Sequence, residues 1–339
     1  MKRLRIAGGA VGSLAISLAV AGCGEGDDLT QPPDTTNVAF AAVSAGNTHT
    51  CGVTTEGAAY CWGRNQAGQL GNGTTLQMWL PEAVQGGLTF PAVSAGAAHT
   101  CGVTTEGAAY CWGFGGTGEL GDGTSANRLS PVAVAGGLTF ATVSAGYGHT
   151  CGVTTAGNAY CWGLNENGQL GEGTSADQLS PVAVAGGLAF ATVSAGVYHS
   201  CGVATAGTAY CWGRNDDGQL GDGTSANRLS PVAVAGRLAF ATVSAGSWHT
   251  CGVTTEGAAY CWGDGRFGEL GDGTATDHTS PVAVAGGLTF ATVSAGLQHT
   301  CGVTTEGAAY CWGNNELGQL GLGVTGMVTH TTPVEVNAG

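Results

Sequence analysis

Along HTCGVTT (149–155) and AYCWG (159–163) apolar and polar residues alternate with a period of two, which predicts two β-strands. Cys151, Val153, Ala159 and Cys161 then share one face, with Gly152, Tyr160 and Trp162 on the other. Two further strand-like stretches, PVAV (131–134) and FATVSAG (140–146), complete the unit, and no helical period is present. The pattern recurs every fifty residues: His49, Cys51, Tyr60, Cys61 and Trp62 return five times, the last as His299, Cys301, Tyr310, Cys311 and Trp312. A period of that length marks a repeat architecture. Four strands with two uncharged faces predict a blade, in which the Tyr/Trp face packs on the small Cys/Val/Ala face of the next. The expected fold is therefore all-β, a β-propeller of about six four-stranded blades. Its C-terminal strand PVEV (333–336) is expected to join the first strands after Val38 and close the ring. A parallel β-helix is a poorer match, because its coils are shorter and need no hairpin in every repeat.

Composition supports a packed chain, since 43% hydrophobic residues supply a sizeable core and 63 glycines serve the many turns. Beyond the first 23 residues, six arginines face 23 acidic groups, a net charge of about −17. Such a balance argues against nucleic acid as a partner, because phosphate binding depends on clustered positive charge.

The N-terminus reads as an address. Lys2, Arg3 and Arg5 precede the apolar run Ile6 to Ala21, which is too short and Gly-rich for a comfortable membrane span. LAVAGC (18–23) resembles a bacterial lipoprotein signal, in which cleavage leaves Cys23 as a lipid-bearing first residue, with Gly24 favouring the outer membrane by that family's sorting rule. An ordinary secretory signal with an incidental cysteine is the alternative. The expected organisation is a leader over 1–22, a polar tether over 23–37 reaching roughly 20 Å as a coil, and the propeller over 38–339. Contact with a membrane is expected through the lipid alone.

Setting Cys23 aside leaves twelve cysteines in six pairs ten residues apart: Cys51 and Cys61, Cys101 and Cys111, Cys151 and Cys161, Cys201 and Cys211, Cys251 and Cys261, Cys301 and Cys311. A three-residue hairpin loop Thr55-Glu56-Gly57, with Gly57 left-handed, sets Val53 opposite Ala59 and Cys51 opposite Cys61. Directly opposed cross-strand residues are close enough for a disulfide, worth about 2 to 3 kcal/mol each by loop-closure entropy. Zinc is the competing reading, but the spacing is not that of paired CxxC ligands. Disulfides place the chain outside the cytoplasm.

The unit VSAGxxHTCGVTTxGxAYCWGxNxxGxLGxG resembles the repeat of the regulator of chromosome condensation family, from Val38 to about Val336. That resemblance implies a propeller, in a family whose best-known members have seven blades. Their activities include nucleotide exchange on a small nuclear GTPase and, in an exported bacterial member, inhibition of β-lactamase. The exchange activity fits poorly here, because the repeats hold no long insertion to act as a wedge and the leader and disulfides imply export.

An active site needs residues that occur once, yet six of the eight histidines occupy one repeat position. These are expected to tie each strand to a neighbouring Gly-rich loop. No serine triad or carboxylate pair can be placed around His278 or His330. GQLGDGT lacks the ending of a phosphate loop, and NDDGQLGDG (215–223) resembles a calcium loop that its counterpart GGTGELGDG does not match. The expectation is a binding protein with no catalytic residue, cofactor or metal. Two windows vary between repeats, the pair before each repeat histidine and the four residues after each WG, and strand direction puts both at one end of the blade. Tyr147, Tyr198, Trp248, Phe114 and Phe267 lie in these windows and are the candidate anchors for a protein partner. A lectin-like envelope glycan binder is the main alternative, and a surface hydrolase or lyase a more distant one.

Overall fold

The computed structural model describes residues 38–326 and 328–336, so the leader, Cys23 and the tether lie outside the described residues. The described residues hold twenty-four strands, β1 to β24 in chain order, arranged as six antiparallel sheets of four. No helix occurs among them. The expected hairpin forms in every unit: Gly57, at φ +84°, donates its N–H to Thr54 O, and Val53 pairs with Ala59 and Cys51 with Cys61. Each cysteine pair is a disulfide within its own hairpin, with Cα atoms 4.1 Å apart.

The grouping of strands differs from the expectation in one respect. The first blade contains β1 (Phe40–Ala45), β2 (His49–Thr54), β3 (Ala59–Gly63) and β4 (Met78–Ala83), so the Pro-containing strand ends each blade instead of beginning it. The loop after WG is responsible. In the third blade Asn165 sits at its centre, accepting Leu170 N–H on Oδ1 and donating Nδ2 to Thr174 O and Ala176 O. The loop therefore turns back on itself and lays the next strand antiparallel to AYCWG. The C-terminal strand follows the same rule: β24 (Thr329–Glu335) pairs with β23 (Ala309–Asn314) in the last blade and does not join β1 to β3. The six blades stand, but the expected closure by that strand is not the one the chain uses.

Blades pack as the face pattern requires. Between the third and fourth, Cys151, Val153, Ala159, Cys161 and Leu170 cover Phe190 and Trp212, with Tyr210 at the edge. Burial of each large ring is worth roughly 3 kcal/mol. Gly202 is small for a reason: a Cβ there would stand 2.7 Å from Phe190 Cδ1, because the ring lies across it. The polar part of the seam repeats too, except that Trp112 Nε1 lacks the bond that Trp162, Trp212, Trp262 and Trp312 make. His149 Nε2 is 2.8 Å from Ser200 Oγ, which donates its proton to Gln169 O at 2.9 Å, so the histidine must be the donor to the serine. Trp212 Nε1 reaches the same Gln169 O, and Ala195 N–H donates to Ser144 Oγ. The repeat histidines of five blades thus tie blade to blade through a hydroxyl, which in turn reaches the Gly-rich loop.

Five such seams are built. The sixth, between the last blade and the first, is not: Phe40 and Trp62 are half-buried where Phe90 and Trp112 are 1% and 0% exposed, and Cys301, Val303 and Ala309 are half-buried where their counterparts are buried. Among the described residues, the equivalent bonds from His299 to Thr50 and from Ala45 N–H to Ser294 are not made.

Candidate functional site

Antiparallel pairing carries both variable windows to one end of each blade, where backbone hydrogen bonds lock them together. Phe114 N–H donates to Ala98 O, Leu164 N–H to Gly148 O, and Arg214 N–H to Tyr198 O at 2.8 to 3.0 Å. A second set runs across the seams, with Tyr147 N–H on Gly196 O and Val197 N–H on Gly246 O. The backbone of this end is therefore rigid and repeat-invariant, while its side chains differ from blade to blade.

On the third to fifth blades those side chains form a ridge. The Tyr147 and Tyr198 rings lie 6.3 Å apart between centroids, Tyr198 and Trp248 5.3 Å apart, each pair tilted by 39°. Arg214 lies over the ridge, its Cζ 4.4 Å from the Trp248 centroid and 5.7 Å from that of Tyr198, within cation–π reach. Asp216 accepts Arg214 Nε–H at 2.7 Å and fixes the guanidinium there. Tyr147 is 48% exposed, so the ridge is open to solvent at that end.

A shallow cavity of about 510 Å³ adjoins it on the first three blades, lined by Phe114, Tyr147 and Leu164 with Arg64 at its rim. Glu119 forms part of its floor, and burial pushes that carboxyl upward from its usual range. Phe267 lies apart from the ridge, half-buried, its N–H donated to Glu269 Oε2. Of the five candidate anchors, then, Tyr147, Tyr198 and Trp248 are brought into one row, Phe114 shares a cavity with Tyr147, and Phe267 joins neither. Arg214 was not among the candidates. Its signal in the sequence was its position after WG, facing two aromatics fifty residues apart.

The central channel offers less chemistry. Its mouth is lined by the Ala-Gly turns of all six blades, Ala45-Gly46 through Ala295-Gly296, which present mostly backbone. At the opposite end, a cavity of about 470 Å³ is lined by residues such as Thr104, Glu106, Thr139 and the repeat-fixed Phe140. The side chains of the acidic loop 215–223 are engaged by residues beside it: Asp222 holds Arg228 at 2.7 Å and accepts from Thr224, Asn215 donates to Thr224 O and Ala226 O, and Asp216 holds Arg214. Among the described residues no three His, Cys, Asp or Glu side chains converge as metal ligands.

The model of the RCC1-like domain family matches residues 8–338. The chain belongs to the RCC1-like domain family. No curated protein matches it. Among solved structures, yeast RCC1 (Prp20) bound to Kap60 superposes with a TM-score of 0.79 at 21% identity, over 90% of this chain and 76% of that one. Human WBSCR16 gives 0.79 at 20% identity, over 91% and 83%. The CRINKLY WD40 ectodomain of the Arabidopsis thaliana receptor kinase ACR4 gives 0.51 at 22% identity, over 81% and 79%. Identities this low show the fold alone. Within the RCC1-like frame of this chain the repeat histidines of five blades are consumed by the seams, and side chains that differ from blade to blade are concentrated at the variable end.

Proposed function

We propose that this RCC1-like propeller is an exported scaffold, tethered to the cell envelope through lipid on Cys23, that binds a protein partner with the variable end of the ring. The observation that carries the reading is the ridge of Tyr147, Tyr198 and Trp248 with Arg214 laid across it. Tyrosine, tryptophan and arginine are the residue types that dominate protein-binding hot spots, and here they stand, exposed or half-buried, on a backbone already locked, so little ordering entropy is lost on binding. The rings pack on one another and Trp248 is covered by a guanidinium, which favours a protein surface over a sugar stacked on a free aromatic face. A binder is favoured over a catalyst because the repeat histidines of five blades are engaged in the seams. Among the fold neighbours, yeast RCC1 is bound to another protein and the ACR4 propeller is an ectodomain, both in keeping with this role.

The test is a partner captured from envelope extract and then measured against variants. Tyr198→Ala with Trp248→Ala should weaken binding at least tenfold and leave Tm nearly unchanged, whereas Glu56→Ala with Glu106→Ala at the opposite end should bind as the parent does. Loss of binding in the second pair and its retention in the first would place recognition at the other end. Labelled palmitate should enter the parent and not Cys23→Ser; an intact chain with unmodified Cys23 would remove the anchor.

A further inference from the structure

The cavity beside the ridge opens where the chain departs twice from its own repeat. In the fourth to sixth blades the pair before the repeat histidine is Val197-Tyr198, Ser247-Trp248 and Leu297-Gln298, but in the second it is Ala97-Ala98 and in the third it ends in Gly148. The missing side chains leave about 510 Å³ between Phe114, Tyr147 and Leu164, a volume typical of ligand pockets. In the same place a glutamine of the repeat, present at 69, 169, 219 and 319, becomes Glu119. That side chain lines the cavity although the residue is only 1% exposed. Its Oε2 accepts Thr117 N–H at 2.8 Å and Thr117 Oγ1–H at 3.0 Å, whereas among the described residues its Oε1 has no hydrogen-bond partner.

We propose that this cavity takes a lysine side chain of the protein partner, its stem along the apolar walls and its ammonium on Glu119 Oε1. The inference rests on the reading of the variable end as a protein-binding face, and it names what the partner must present there. A carboxyl in an apolar cavity with one unfilled oxygen calls for a donor. A cation answers best, because it also keeps the group ionised against the burial that pushes its pKa up. Asp177, near enough to raise the same carboxyl, adds to the negative field. Against it stands Arg64 at the rim, but that side chain is exposed, bonded to Gln66 and screened by solvent. Lysine fits better than arginine, since a guanidinium fork needs both carboxylate oxygens and Thr117 already holds Oε2, whereas an ammonium is a point charge that can use one. Its methylene stem can lie along Phe114 and Leu164 while the head reaches the floor. The net charge of about −17 beyond residue 23 steers a basic partner toward the chain.

The experiment titrates the full chain with Nα-acetyl-lysine amide and follows the Leu164 methyl signals by NMR. The shift should saturate at millimolar probe, while Nα,Nζ-diacetyl-lysine amide, which lacks the charge, and Nα-acetyl-arginine amide should bind more weakly. Glu119→Gln restores the repeat's own residue and keeps an acceptor for Thr117, so it should fold as the parent does and weaken the lysine probe about tenfold. Ala98→Tyr, the residue the fourth blade carries at this position, should fill the cavity and abolish the shift. Arg64→Ala, which clears the rim of its cation, should strengthen binding. An unmoved Leu164 signal, equal binding by the neutral probe, tighter binding by the arginine probe, or equal binding to Glu119→Gln would each overturn the proposal. The probe reads the cavity without the partner, so a failure here is separate from a failure of the ridge variants. A captured partner that holds Glu119→Gln as tightly as the parent would also overturn it.

Discussion

Mild acid should unfold this protein through its seams. His49, His99, His149, His199 and His249 are buried, each with Nε2 on a hydroxyl of the next blade. Burial holds the pKa of His49 down to about 4 and those of the other four to about 3, against 6.5 in an open chain. A base whose folded pKa is depressed favours folding fully above its unfolded value, and that contribution drains away as pH falls toward the folded one. At pH 5 each histidine costs about 2 kcal/mol, so the five together cost about 10 kcal/mol, comparable with a whole domain's stability of about 5 to 15 kcal/mol. Glu269 works in the opposite sense: burial pushes its carboxyl up to about 8, so the folded chain keeps a proton that the unfolded chain releases. Unfolding near pH 5 should then take up about four protons net, a slope of about 5 kcal/mol per pH unit. Urea unfolding followed by far-UV circular dichroism between pH 7.5 and 4.5 measures that slope, and His199→Gln should reduce it by one proton. An uptake of fewer than two protons over this range would refute neutral buried histidines as the ties between blades.

Three further outcomes test separate parts of the structure. Replacing one disulfide, Cys151→Ala with Cys161→Ala, should cost about 3 kcal/mol by loop closure alone and lower Tm while sheet content persists; peptide mapping of the parent should recover six bridges, each within its own hairpin. Glu269→Gln, which restores the residue found at 69, 169, 219 and 319, should change stability little below pH 4.5 and raise it increasingly between pH 4.5 and 8, where the folded chain holds a proton that the unfolded chain releases, with the full gain above pH 8. Gly202→Ala should destabilise by about 1 to 3 kcal/mol, because its Cβ would meet the Phe190 ring at 2.7 Å, and thermal melts against the parent will show it.

Much of this was legible before any coordinates. Hairpin register, the opposition of Cys51 and Cys61, and the left-handed Gly57 all follow from interactions within a dozen residues, where turn chemistry and strand alternation leave one answer. The assignment of Cys151 and Trp162 to opposite faces is equally local, as is the grouping of the variable windows at one end. Even the hydroxyl partner of the histidines left a trace, since the one departure from HTC is HSC at Ser200, which keeps the oxygen.

The tertiary structure alone decided what lies fifty residues apart. Near-identical repeats specify how any blade meets the next, but their pattern carries no information on how many blades complete a turn, because that depends on a small rotation at each seam that accumulates around the ring. The pattern therefore could not show that the seam from His299 to Thr50 stands open. Nor could it show that Tyr147, Tyr198 and Trp248 meet under Arg214. They sit at fifty-residue intervals, give or take one, and become neighbours only because each seam sets successive blades a ring's width apart.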